Sequence, residues 1–118
     1  MDIHPNLTGK TTIAPEVLLT IARLNTLSVP GVCRLSTTPT DMNQFLTRGT
    51  NEGVHITVEN GIVYADIFVI LNHDVNVRDV GHAIQARISR AISEMVGMEV
   101  GKINVHVEDI DYTQAPES

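Results

Sequence analysis

VHITVENGIVYADIFVIL, residues 54–71, sets Asn60-Gly61 between two runs rich in β-branched and aromatic residues. Both turn residues tolerate positive φ, which a two-residue type I′ hairpin requires at each of its central positions. That turn fixes the register. Val58 faces Val63, Ile56 faces Ala65 and Val54 faces Ile67, giving one continuous apolar face. The opposite face pairs Thr57 with Tyr64 and His55 with Asp66. The second strand is also apolar there, with Ile62, Tyr64, Phe68 and Ile70 interrupted only by Asp66. A sheet with a wet face alternates more cleanly than this. The strip therefore requires a cover, either the polar segment 37–53 through Met42, Phe45 and Leu46, or another subunit. Ile62, Tyr64, Phe68 and Ile70 are accordingly the candidate interaction surface.

Downstream of Leu71, the stretch HDVNVRDVGH gathers His73, Asp74, Asn76, Asp79 and His82 at a strand-to-helix junction. Ligands of α/β sheets favour such carboxyl ends. The same residues also suit the start of a helix, with Asn76 as the N-cap and Asp79 at the third helical position. A helix is predicted from about Val77 to Val96. Its apolar stripe is Val77, Val80, Ile84, Ile88, Ala91, Ile92, Met95 and Val96, and Gly97 is the left-handed residue that follows. KINVHVEDI, residues 102–110, then alternates as a strand with Ile103, Val105 and Val107 inward and Asn104, His106 and Glu108 outward.

Upstream, APEVLLTIARLNTLSVPG reads as a helix. Pro15 fits the first helical position, Glu16 suits the positive end of the helix dipole, and Pro30-Gly31 ends the element. Val17, Leu18, Ile21, Ala22, Leu24 and Leu27 recur at helical spacing. GVCRLS, residues 31–36, reads as a strand in which Cys33 shares parity with Leu35 and turns inward as an inert thiol. Thr11–Ile13 is expected to form a short edge strand, and residues 37–53 a long mobile polar loop. Residues 1–10 form a flexible lead-in and residues 111–118 a frayed tail. The expected order is β-α-β-β-β-α-β within one domain, residues 11–110. The fold class is α+β: a two-layer sandwich with two helices on one face of a mixed β-sheet.

The 118 residues suit one domain, and the core must be aliphatic because only 3 % of residues are aromatic. A formal charge of −6 without any basic cluster argues against nucleic acid and against a bare anionic membrane as partners. One cysteine allows no internal disulfide, so a reducing compartment is expected. The amino terminus lacks a secretory pattern, and GIVYADIFVIL falls short of the roughly 20 residues of a membrane helix. The expectation is a cytoplasmic protein without direct membrane insertion.

The five histidines form no H-x-x-x-H or H-E-x-x-H pattern. Their sharpest combination is His55, Asp66, His106 and Glu108 on the outer sheet face, which converge only if the last strand neighbours the hairpin. A surface His–Asp pair across strands, worth roughly 0.2–1 kcal/mol, is the commoner meaning of such a set. No catalytic, cofactor-binding or metal-ligating residue is assigned. The alternative is a small metal- or ligand-binding enzyme that uses the His and carboxylate residues near 73–82 or at 55, 66, 106 and 108.

IAPEVLLTIARLNTLSVPGVCRLS, GVHITVENGIVYADIFVIL and VNVRDVGHAIQARISRAISEMVGMEVGKINVHVEDI, taken in order, resemble the alkaline shock protein family of envelope stress response proteins. The resemblance covers about residues 11–110, with APEV, VPGV and MVGMEVGKINVHV as its most specific pieces. It departs from the family at His73-Asp74, and the chain has no long basic or Gly-rich tail. The resemblance implies a cytoplasmic, non-enzymatic protein of cell-envelope homeostasis. It also implies protein partners: further copies of itself, or a membrane-anchored relative that holds it at the inner face of the membrane.

Overall fold

Local sequence signals set each element of the computed structural model, which describes residues 8–36, 49–51 (backbone alone) and 53–113. The lead-in through residue 7, Met42, Phe45 and Leu46, and the tail beyond residue 113 lie outside the described residues. The first element is helix α1, Pro15–Leu27, with Pro15 at its start and Glu16 in its first turn. Strand β1, Val32–Leu35, follows Gly31, which adopts φ 101°. Strands β2 (Gly49–Asn51), β3 (Val54–Glu59) and β4 (Ile62–Asn72) come next, then helix α2 (Val77–Met95) and strand β5 (Glu99–Asp111).

The hairpin register is the one its turn demands. Asn60 and Gly61 both take positive φ, 54° and 77°. Val58 pairs with Val63, Thr57 with Tyr64, Ile56 with Ala65, His55 with Asp66 and Val54 with Ile67. At the next junction the Asn76 Oδ1 accepts the Asp79 backbone N–H at 2.9 Å, capping α2. Gly97 then leaves the helix at φ 77°.

Two expectations about strands need correction. Thr11–Ile13 is not a strand, and the expected loop ends in one. Gly49–Asn51 pairs antiparallel with β3, from Gly49 opposite Ile56 to Asn51 opposite Val54. The observed order is α-β-β-β-β-α-β. Gly53, at φ 78°, allows the reversal between β2 and β3 and also a close approach. A Cβ there would lie 2.7 Å from the Leu35 Cβ and 2.8 Å from the Ser36 carbonyl oxygen. At the other end, β5 begins at Glu99 and runs on to Asp111, a buried residue expected to lie in the tail.

The sheet is mixed, and β4 is its axis. β5 runs parallel to β4 along its whole length, from Ile62 opposite Glu99 to Asn72 opposite Asp111. The other edge of β4 is shared. β3 occupies Ile62–Ile67 and β1 occupies Val69–Leu71, both antiparallel. Phe68 lies at the joint, donating its N–H to Gly53 O and accepting from Ser36 N.

Both helices cover one face. Val80, Ile84, Ile88 and Ile92 of α2 pack with Leu18, Leu19, Ile21 and Ala22 of α1 over Val54, Ile56, Val63, Ala65, Ile67, Val69 and Leu71. The helix stripes are narrower than their sequence patterns. Val77 and Met95 at the ends of α2 are exposed, as are Val17, Leu24 and Leu27 of α1. Leu19 and Thr26 are buried instead, and the Thr26 hydroxyl is satisfied by donating to Ala22 O at 2.8 Å. A helix apolar nearly all round does not declare which side meets the sheet.

Replacing the fully buried Ile84 by Ala is expected to cost about 2–5 kcal/mol in chemical denaturation. Asn76→Ala, which removes only a cap, is expected to cost about 1 kcal/mol in the same experiment.

Candidate functional site

The outer sheet face, away from both helices, carries the sequence-derived candidates. Ile62, Tyr64, Asp66, Phe68 and Ile70 alternate with the buried residues of β4, and each is half-buried. The parallel neighbour supplies the polar partners. Asn104 lies opposite Asp66 and His106 opposite Phe68. His106 Nε2 donates to Asp66 Oδ1 at 2.9 Å, and Asn104 Nδ2 donates to the same oxygen at 3.2 Å. The His106 ring stacks on Phe68 with centroids 4.5 Å apart and planes 14° apart. His55 lies on the far side of Phe68, tilted by 57° at 5.6 Å.

The expected set is thus only partly assembled. His55 is the main-chain partner of Asp66, yet its ring turns to Phe68 while His106 takes the carboxylate. The His55 Nε2 is shut off from solvent and, among the described residues, has no hydrogen-bond partner. Glu108 is exposed on β5. Among the described residues, no three His, Cys, Asp and Glu side chains are grouped so as to hold a metal ion. At the end of the strip, Tyr64 closes over Gly101, where an added Cβ would lie 2.5 Å from the Tyr64 Cε1.

Cys33 departs from its expected inward position. The pairing slips between Val32, opposite Leu71, and Arg34, opposite Ile70. This bulge breaks the parity that linked Cys33 to Leu35. Val32 and Leu35 pack on the core, and the Cys33 thiol instead donates to Asp111 Oδ2 at 3.1 Å. Arg34 Nη1 is 3.4 Å from the sulfur and 3.5 Å from the same carboxylate oxygen. The other oxygen, Asp111 Oδ1, accepts from the Thr113 hydroxyl and from the Thr113 backbone N–H. The thiol pKa is raised, chiefly by its hydrogen bond to the Asp111 carboxylate, so the group is a weak nucleophile at neutral pH. The Asp111 carboxyl is lowered to about 2, first by the Thr113 hydroxyl and then by the Cys33 thiol. The cluster links β1 to the end of β5.

A third feature is an apolar hollow of about 410 Å³ at the start of α1, lined by Thr11, Ile13, Pro15, Leu18, Ile56, Val58, Val96 and Met98. The residues of the strand-to-helix junction do not converge on it. Asp79 lies in the first turn of α2, and Asp74 and His82 are exposed. The apolar exposure that sequence reasoning missed lies on α1, where Val17, Leu24 and Leu27 face solvent. Their signal was present as an apolar stripe on both sides of one helix.

The outer face thus combines a half-buried apolar strip with a single His–Asp pair. A model for the alkaline shock protein 23 family, described as having a cell envelope-related function, matches residues 4–112. The chain belongs to this alkaline shock protein family. Two relatives carry the likeness along almost its full length. The uncharacterized protein Spy1535 of Streptococcus pyogenes is 33 % identical over 109 residues, covering 92 % of this chain and 84 % of that protein. The uncharacterized protein YqhY of Bacillus subtilis is 25 % identical over 120 residues, covering 99 % and 89 %. Among solved structures, the copper form of MamM CTD superposes with a TM-score of 0.51 at 13 % identity, covering 86 % of this chain and 92 % of that one. The zinc form of a MamM CTD variant gives a TM-score of 0.51 at 12 % identity, covering 85 % and 90 %. At this identity the alkaline shock protein shares a fold with them, and the metals named there describe those chains. No helix among its described residues is long and apolar enough to cross a membrane.

Asp111→Asn is expected to bring the Cys33 thiol down toward its ordinary pKa and to speed its alkylation at mildly alkaline pH. An unchanged pH profile of labelling would contradict the assigned hydrogen bond. Because the Asp111 pKa is lowered on folding, its stabilisation is complete above about pH 4. It is lost as the pH falls toward about 2, which acid unfolding of the parent against the variant would register.

Proposed function

We propose that this protein is a non-enzymatic interaction module of cell-envelope homeostasis. It works in the cytoplasm as a scaffold, associating with itself, with a membrane-anchored relative at the inner face of the membrane, or with both. The coarse part of this reading is family membership, whose described function is cell envelope-related. One structural observation supports the finer part. The two-layer architecture places both helices on one sheet face. It leaves Ile62, Tyr64, Phe68 and Ile70 half-exposed on the other, with no helix among the described residues packed over them. An apolar strip between half-exposed aromatic rings suits a protein partner, which desolvates it and adds contacts at low entropic cost.

The scaffold needs no cofactor and no nucleic acid. Within the strip the Phe68 ring stacks on His106 and meets the tilted ring of His55. Toward its Ile62 end, Tyr64 closes over Gly101.

Affinity capture of the tagged full chain from its native host is expected to recover a membrane protein, and Phe68→Glu should abolish that recovery. A captured set without any membrane protein, together with a monomer in solution, would overturn the scaffold reading. Circular dichroism of the variant separates lost binding from lost fold.

A further inference from the structure

The hollow of about 410 Å³ beside the start of α1 falls within the size range of small-molecule sites. It reaches the core, because two of the residues that line it, Leu18 and Ile56, are 2 % and 0 % exposed. Val58, Val96 and Met98 form its half-buried walls, and the exposed Thr11 and Ile13 stand at its mouth. Protein interiors pack as densely as organic crystals and leave few voids larger than a water molecule. A hollow of this size that opens from the core is a place for a ligand.

The lining restricts what fits. Apart from the Thr11 hydroxyl its side chains are hydrocarbon or thioether, and none is charged or aromatic. Such walls give a polar group no partner and gain only from burying hydrocarbon. The unbranched Met98 side chain adapts to a flexible guest. The hollow takes about a dozen groups of water size, at about 30 Å³ each, which is the bulk of a medium-length acyl chain. The mouth differs in character. Lys10 directly precedes Thr11 and is exposed. α1 begins beside it with no side-chain cap at Ala14, which leaves N–H groups of the first turn for an anion. Glu16 shares that turn, so a single carboxylate is favoured there over a dianion such as a phosphate monoester.

We propose that this hollow binds a medium-chain fatty acid, its tail against Leu18, Ile56 and Met98 and its carboxylate at Lys10 and Thr11. The source is a free fatty acid. A net charge of −6 works against an anionic bilayer supplying the chain. Ile56 and Val58 belong to the helix-covered side of the sheet, so the site is separate from the outer strip. It goes beyond the interaction-module reading and does not depend on it.

Calorimetric titration of the full chain with octanoate, decanoate, dodecanoate and hexadecanoate tests the proposal. Saturable binding is expected, tightening roughly fourfold for each added methylene until the hollow is full and then levelling off. Ile13→Trp, at an exposed position outside the helices and strands, should fill the mouth and weaken decanoate at least about tenfold. Lys10→Glu should weaken decanoate about threefold and leave decanol unchanged. Phe68→Glu should leave decanoate binding unchanged, which separates this site from the scaffold reading. No binding into the millimolar range would overturn the proposal, as would binding that Ile13→Trp leaves intact or that only vesicles of anionic phospholipid provide. Affinity still rising from dodecanoate to hexadecanoate would mark surface adsorption and overturn it too. Decylamine binding as tightly as decanoate would overturn the carboxylate assignment.

Discussion

Every other element takes its position from the hydrogen bonds of one strand. β4 is paired on both edges by three strands, and a buried central strand has no water to satisfy a vacant N–H or C=O. β3 is too short to fill one edge, so β1 completes it. The joint at Phe68 forces the end of β1 against the start of β3. Only glycine fits at position 53, because any Cβ would meet Leu35 and Ser36. The opposite edge takes a parallel strand, and a parallel neighbour requires a crossover. α2 is that crossover, so its place over the sheet follows from the pairing it serves.

The parts governed by short-range chemistry were legible in the sequence. The Asn60-Gly61 turn set six cross-strand pairs, and Asn76 with Asp79 marked the helix start, because each depends on residues a few positions apart. The misreadings came from longer range. Cys33 was placed by parity, and parity fails where a bulge adds a residue opposite Leu71 and Ile70. β2 was hidden in a polar run because Gly49–Asn51 carries no β-rich signature and exists through its pairing with β3. The two sides of α1 were indistinguishable by hydrophobicity alone. Which one meets the sheet is decided by packing, which buries Leu19 and Thr26 and leaves Leu24 in solvent.

The outer face shows the same dependence on non-local pairing. Asp66 has His55 directly opposite on β3 and His106 within reach on the parallel β5, and His106 holds it. β5 brings Asn104 level with Asp66 and His106 level with Phe68. A ring stack therefore replaces the His55–Asp66 pair that the hairpin alone suggests. What resembled a group of catalytic residues becomes a stiff, half-apolar surface. That surface belongs to a member of a family of cell envelope-related function, and it is the face on which the proposed scaffold role rests.

The position of β5 in the chain has a consequence for synthesis. Among the described elements it is the last to leave the ribosome, and it pairs with β4 along ten positions. Until it emerges, the nascent chain holds a complete hairpin whose longest and most apolar strand has one edge bare. A bare apolar edge is a template for pairing with neighbouring chains, and on a polysome those neighbours are copies of the same unfinished protein. Once β5 docks, the Cys33–Asp111 contact joins residues 78 positions apart and closes the domain.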